Sequence, residues 1–348
     1  MKIGRLAEKL IQNHQLSKEE YVKLLNAWED SQVREVLREE AVRLRDYYYG
    51  RNIFTRGLIE FTNYCKNNCY YCGIRKGNHN VVRYRLSKEE IWECCEQGYA
   101  LGFRTFVLQG GEDPYFTDER VVEIVQGIKE RYPDCAVTLS IGEKSFESYQ
   151  KFRTAGADRY LLRHETADEE HYRSLHPESM HLSERKACLW NLKTLGYQVG
   201  AGFMVGSPNQ TIETLAEDLV FLQELQPQMV GIGPFIPHHD TQFRDEPAGS
   251  VEFTLFLLSV IRIILPKVLL PATTALGTMD PLGREKGAEH GANVVMPNLS
   301  PLSRRKQYDL YDNKISMNEE AAERKELLRK KMELIGYCLA DGRGDAVK

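Results

Sequence analysis

The sequence predicts an α/β fold: a complete (βα)8 barrel of the TIM type with an N-terminal helical extension and a C-terminal helical tail. Three observations predict it. From Asn52 onward, short β-branched or apolar runs alternate with amphipathic helices, the pattern of βα units on a parallel sheet. Eight such units can be counted, the number that closes a barrel. The 348 residues exceed the roughly 250 of one barrel, which leaves room for helical additions. A doubly wound open sheet is the alternative, yet no Gly-rich dinucleotide turn follows the first strand.

Up to about residue 50 the chain reads as helix, with Ser17-Lys18-Glu19-Glu20 as a capping box whose Ser and Glu satisfy each other's free backbone donors. The strands fall at Asn52–Phe61, Phe103–Gln109, Ala136–Ile141, Arg159–Arg163, Gln198–Val205, Met229–Pro234, Leu269–Thr273 and Val294–Pro297. Between them Ser87-Lys88-Glu89-Glu90 caps a second helix, and Thr211–Leu225 gathers Ile212, Leu215, Ala216, Leu219 and Leu222 on one face. After Pro297 the chain turns polar and ends in a charged helix, Asn318–Ile335, and a loose tail. The expected division is residues 1–50 as N-terminal helices, 51–300 as the barrel and 301–348 as a helical extension packed on it.

A hydrophobic content of 42% with 28% charged residues suits a chain that buries a large core. The formal charge of −4 gives no reason to expect nucleic acid. Residues 1–13 place Ile3, Leu6, Leu10 and Ile11 at helical spacing among charges, unlike a signal peptide. No run reaches the roughly 18 apolar residues of a membrane span, since Phe253–Leu265 is short and contains Arg262. A cytoplasmic location is expected. Eight cysteines are too sparse for a disulfide framework, and three sit within eight residues, which points to metal in a reducing compartment.

Those three, in Cys65-Lys66-Asn67-Asn68-Cys69-Tyr70-Tyr71-Cys72, follow the first strand, so their thiolates lie at the C-terminal mouth of the barrel. Soft thiolates on one short loop suit an iron-sulfur cluster or zinc. A closed zinc site wants four ligands, and His79 could complete a Cys3His set. A cluster on three cysteines instead leaves one iron open.

The spacing C-x3-C-x2-C with aromatic Tyr71 before the last cysteine resembles the signature loop of radical S-adenosylmethionine (SAM) enzymes. The resemblance implies one [4Fe-4S] cluster on Cys65, Cys69 and Cys72. Its open iron would chelate the amino and carboxylate groups of S-adenosyl-L-methionine, and one electron would release a 5′-deoxyadenosyl radical. It also places Tyr71 near the adenine, and Gly110-Gly111-Glu112-Asp113 is similar to the motif that binds the methionine amino group. A tight βα turn explains a Gly-Gly-Glu stretch as well.

Strand parity describes the lumen. In the fourth strand Arg159, Leu161, Arg163 and Glu165 share one face; helices cover the outer face, so the charged one is assigned to the interior. Thr138 and Ser140 share a face, and Gly200, Gly202 and Met204 another, with Gly231, Gly233, Thr273 and Thr274 on later strands. Layers of Val, Ile and Leu would fill a packed barrel, so this interior reads as hollowed for a polar or anionic ligand. An ion-paired network stapling the barrel is the competing reading. Met204 serves equally as a gap filler, Arg185 as a solvated charge, and His238 and His239 as ordinary loop histidines. Cys94, Cys95, Cys135, Cys188 and Cys338 lack the spacing of a second site and read as buried thiols.

Longer runs narrow the resemblance. Gly111–Tyr115, Arg159–Thr166, Gly231–His238, Pro271–Thr274 and Gly291–Asn298 are similar to the HydE branch, maturases of [FeFe]-hydrogenase. That likeness implies assembly of the hydrogenase H-cluster from a small iron-carbonyl-cyanide complex with bound cysteine. The maturases HydG and HydF would be partners, and flavodoxin or ferredoxin would donate electrons. It implies that Gln109, Gly111, Glu112, Thr138, Ser140, Glu165, Arg185 and Met204 surround the cofactor and that Arg159, Arg163, Thr273 and Thr274 line the substrate end. The chain lacks the C-terminal cysteines of an optional second cluster, and no aromatic cofactor contact is assigned near Arg304-Arg305. A methylornithine-synthase-like lysine mutase shares the Gly-Glu-Asp-Pro-Tyr run and stays open; a zinc-stabilised barrel serving as a binding module is the alternative of a different class.

Overall fold

The computed structural model describes residues 3–315 and 321–347. Three helices open the chain, α1 (Ile3–Asn13), α2 (Lys18–Asn26) and α3 (Ser31–Tyr49). The Ser17/Glu20 capping box forms as expected, and Asp30 caps α3 by accepting from the Gln32 and Val33 N–H groups. α2 packs on α9 and α3 on α10, two helices of the alternating region.

That region runs β1 (Asn52–Thr55), β2 (Gly57–Thr62), α4 (Lys88–Ala100), β3 (Thr105–Gly110), α5 (Asp118–Arg131), β4 (Ala136–Ser140), α6 (Phe146–Ala155) and β5 (Arg159–Leu161). It continues through α7 (Glu169–Leu175), α8 (Leu182–Thr194), β6 (Gln198–Ala201), β7 (Met204–Val205), α9 (Ile212–Leu225), β8 (Met229–Val230) and β9 (Gly233–Pro234). Then come α10 (Val251–Ile264), α11 (Thr274–Met279), α12 (Gly283–Glu289) and β10 (Val294–Val295), followed by α13 (Leu302–Arg305), α14 (Ala321–Leu334) and β11 (Cys338–Ala340).

Six strands form one parallel sheet in the order β2-β3-β4-β5-β6-β8. Beyond β8 the pairing thins. Leu269 bridges Met229, Pro271 bridges Val294, and β10 pairs in parallel with β1. The expected strand Leu269–Thr273 is therefore met only as single bridges. The expected first, fifth and sixth strands are each divided, at Arg56, at Gly202-Phe203 and at Gly231-Ile232. Close backbone contact explains the middle break. Gly202 has a φ of +151°, and a Cβ there would lie 2.0 Å from the Gly231 carbonyl oxygen.

Apolar faces of the surrounding helices and the outward residues of the sheet merge into one large core. α10 is apolar all round and buried, and its Arg262 donates to the carbonyls of Gly291, Pro266 and Val268 and to Asn293 Oδ1. No described helix is long and apolar enough to cross a membrane.

The C-terminal segment differs from the expected loose helical tail. The first residues of the expected helix, 318–320, lie outside the described residues; α14 covers the rest. β11 then pairs in parallel with β1, leaving Cys338 exposed rather than buried. Residues past β11 reach the N-terminal ends of the sheet strands, where Arg343 meets Asp158 at 2.8 Å and Asp345 accepts from Gln198 Nε2 at 2.7 Å. Charge pairing, invisible to hydrophobic periodicity, fixes this tail.

Candidate active site

The three cysteines occupy the loop after β2, and backbone and side-chain bonds hold its shape. Lys66 N–H donates to the Glu112 carbonyl and Tyr70 N–H to that of Leu175. Asn68 Oδ1 accepts from Gly77 N–H at 2.9 Å, while the Arg83 guanidinium donates to the carbonyls of Asn63, Ile74, Arg75 and Asn78. Arg83 closes the loop on itself, a role the sequence reading missed. Gly73, next to Cys72, packs on His238 so tightly that a Cβ would lie 2.4 Å from the ring. His238 is thus buried, not an ordinary loop histidine, and its Nδ1 accepts the Asp240 N–H.

Gly111 makes the second close approach. A Cβ there would sit 2.2 Å from the Tyr64 carbonyl oxygen and 2.7 Å from Cys65 Cβ, so only glycine lets the end of β3 touch the cysteine loop. Glu112, buried beside it, accepts from Glu143 N–H at 3.0 Å and faces Lys66 at 3.3 Å. Arg185 on α8 pairs with Glu143 at 2.7 Å and is buried, which speaks against the competing reading of it as a solvated charge.

These groups open on one cavity of about 360 Å³ at the C-terminal ends of the strands. It brings together Cys65, Cys69, Tyr71, Cys72, Gln109, Gly111, Glu112, Thr138, Ser140, Arg163, Glu165, Arg185, Met204, Thr273 and Thr274. Arg159 is the exception, and its expected place in the cavity is corrected. It shares the parity of Leu161 and Arg163, but it starts β5 and lies in the bottom layer, bonded to Thr105 Oγ1, the Arg343 carbonyl and Asp345. Parity sets a side chain's face, not its height along the strand.

Several cavity residues were not anticipated. Arg56 and Glu60 alternate with Leu58 on the first strand, and parity applied there would have found them. Glu60 pairs with Lys314 and accepts from Asn298 Nδ2 at 2.8 Å. Tyr308 and Tyr311 supply the aromatic wall that the sequence reading left unassigned after Arg304-Arg305. They come from an irregular segment with no periodic signal.

Two features show what the cavity is built to hold. First, buried polar atoms without a hydrogen-bond or ion-pair partner gather on its wall: Thr138 Oγ1, Arg163 Nε, and Arg56 Nε and Nη2. The Arg163–Glu165 contact of 3.0 Å leaves both groups short of hydrogen bonds. Native proteins rarely strand so many polar atoms unless a ligand satisfies them. Second, burial and mutual proximity push the thiols upward, Cys72 to about 12, and Cys69 is raised by burial and then by Cys72 and Cys65. Thiols so placed hold their protons until iron displaces them. Exposed His79, the residue that would complete a closed zinc set, does not line the cavity that the three cysteines share.

The sequence pattern of the Radical SAM superfamily matches residues 59–222. The HydE subunit of [FeFe]-hydrogenase maturase from Thermotoga maritima is 46% identical over 307 residues, which span 88% of this chain and 87% of that protein. The chain is a radical SAM enzyme of the HydE family. Enzymes of this superfamily use a [4Fe-4S] cluster and S-adenosylmethionine. The 3-methylornithine synthase of Methanosarcina barkeri is 33% identical over 336 residues, 95% of this chain and 92% of that protein. The crystal structure of a methylornithine synthase, PylB, superposes with a TM-score of 0.82 at 29% identity, covering 96% of this chain and 97% of that one.

Proposed function

We propose that this enzyme acts in [FeFe]-hydrogenase maturation, on a small iron-carbonyl-cyanide complex carrying cysteine. In this reading Cys65, Cys69 and Cys72 hold one [4Fe-4S] cluster. Gly111, Glu112, Gln109, Thr138, Ser140, Glu165, Arg185 and Met204 surround S-adenosylmethionine, with Tyr71 beside its adenine. The cluster and cofactor together supply a 5′-deoxyadenosyl radical. The chain's own part is to bind, orient and exclude water. Arg163, Thr273 and Thr274 hold the anionic substrate at one wall, and Arg56 offers unpaired nitrogens to the same cavity. The Glu60–Lys314 ion pair lines another wall. The observation that carries this reading is the gathering of partnerless buried polar atoms in the cavity that the cysteine loop opens on.

The bridges through Leu269 and Pro271 and the β10–β1 pairing support a complete (βα)8 barrel of residues 51–300, with 1–50 and 301–348 as additions packed on it. HydG would supply the substrate and HydF receive the product, with flavodoxin or ferredoxin as reductant in the cytoplasm. A second reading, conversion of lysine to methylornithine, draws on the likeness to PylB. A defined maturation reaction with HydG, HydF and apo-hydrogenase separates the two. Hydrogen-evolving activity that depends on this protein supports the maturase; methylornithine formed from lysine without such activity supports the mutase.

A further inference from the structure

Glu165 stands in the left-handed region with φ +66°, a conformation that residues with a side chain rarely adopt and hold only when their surroundings impose it. Its own backbone is pinned by Glu165 N–H to the Gly202 carbonyl and by Met204 N–H to the Glu165 carbonyl. The residues around it are held from behind the cavity by two side chains that do not line it. His164 is fully buried; its Nδ1 accepts the Gly202 N–H at 3.3 Å, so the neutral ring carries its proton on Nε2 and donates to Asp218 Oδ1 at 3.2 Å. The same Asp218 oxygen accepts the Ala167 N–H at 2.6 Å. Asp218 belongs to the buried face of α9 with Leu215, Leu219 and Leu222, where a carboxylate is out of place unless it serves something.

We infer that His164 and Asp218 are positioning residues that clamp the chain on both sides of Glu165 and so aim its carboxylate into the cavity beside Arg163. Asp218 fixes residue 164 through its ring and residue 167 through its N–H, and the bond from Lys186 Nζ to the Ala167 carbonyl at 2.9 Å closes the bracket. Released from this bracket, residue 165 returns to an ordinary negative φ and its carboxylate turns away from the cavity. The inference rests on the reading of Glu165 as a cofactor contact.

The test compares Asp218→Leu, Asp218→Asn and Glu165→Gln in the reconstituted holoenzyme, reading iron content and the KM and kcat of reductive S-adenosylmethionine cleavage. Asp218→Leu is expected to raise the KM by about tenfold, with kcat within about twofold and iron unchanged. Asp218→Asn keeps an acceptor oxygen for Ala167 and His164 and should restore most of the loss. Combining Asp218→Leu with Glu165→Gln should cost no more than Glu165→Gln alone. Full additivity of the two, or an unchanged KM in Asp218→Leu, overturns the inference. Should Glu165→Gln itself leave the KM unchanged, the cofactor role of Glu165 falls, and a crystal structure of Asp218→Leu decides the clamp: a negative φ at residue 165 upholds it and a retained positive φ overturns it. If Asp218→Leu does not fold, His164→Phe, which keeps a ring and loses both nitrogens, makes the same comparisons.

Discussion

Arg159 Nη2 meets Asp345 Oδ1 at 2.7 Å, joining the start of β5 to the last residues of the chain. The guanidinium is wholly buried and also holds Thr105 Oγ1 and the Arg343 carbonyl. Burial first, and then Arg159, depress the affinity of Arg56 for a proton while Asp345 raises it, so the tail brings a counter-charge to the base of the cavity.

Arg159→Leu should therefore act on stability and not on chemistry. The loss is on the order of 2 kcal/mol, from several charge-assisted bonds. Chemical denaturation together with cofactor cleavage per folded chain checks this. A variant of unchanged stability that fails in substrate turnover would return Arg159 to the substrate site.

Arg163→Leu should do the reverse. Its guanidinium lines the cavity with Nε unpaired and Nη2 against Glu165, so coupled substrate turnover should fall about 10- to 100-fold while uncoupled cofactor cleavage continues. Quantifying deoxyadenosine and product in parallel separates the two effects.

Gly111→Ala should expel the cysteine loop from its place, because the added methyl meets the Tyr64 carbonyl. Iron content after anaerobic reconstitution should drop well below that of the wild type while the circular dichroism of the fold persists.

Stability should decline as pH falls below about 6.5. Burial lowers His176 to about 3 and also lowers His164 and His171, so each binds a proton more readily unfolded than folded. The stability they support is complete above the unfolded value and is lost as pH drops toward the folded one, at about 1.4 kcal/mol per pH unit for each such histidine. His176→Gln should flatten this slope between pH 6.5 and 5; urea titrations at both pH values measure it.

Much of the site was legible because its signals are local. The spacing of Cys65, Cys69 and Cys72 states its ligand count directly, and alternation in β5 places Leu161 and Arg163 on the cavity side. Height along the strand was not legible, since it depends on the stagger between neighbours, and Arg159 fell to the base for that reason. The strand that breaks at Gly202 does so through backbone contact with Gly231 on the next strand, which no single stretch of sequence displays. Tyr308, Tyr311 and Lys314 reach the cavity from irregular chain, and the charged tail is positioned by Asp158 and Arg159, far away in sequence.

The central claim is a three-cysteine cluster that opens on the cavity and drives cofactor cleavage. Anaerobic reconstitution of the wild type and Cys69→Ala, with metal analysis and reductive cleavage of S-adenosylmethionine, tests it most directly. The account predicts about four irons per chain and deoxyadenosine formation in the wild type, with both lost in Cys69→Ala. Stoichiometric zinc without cleavage, or full cleavage by Cys69→Ala, would contradict it.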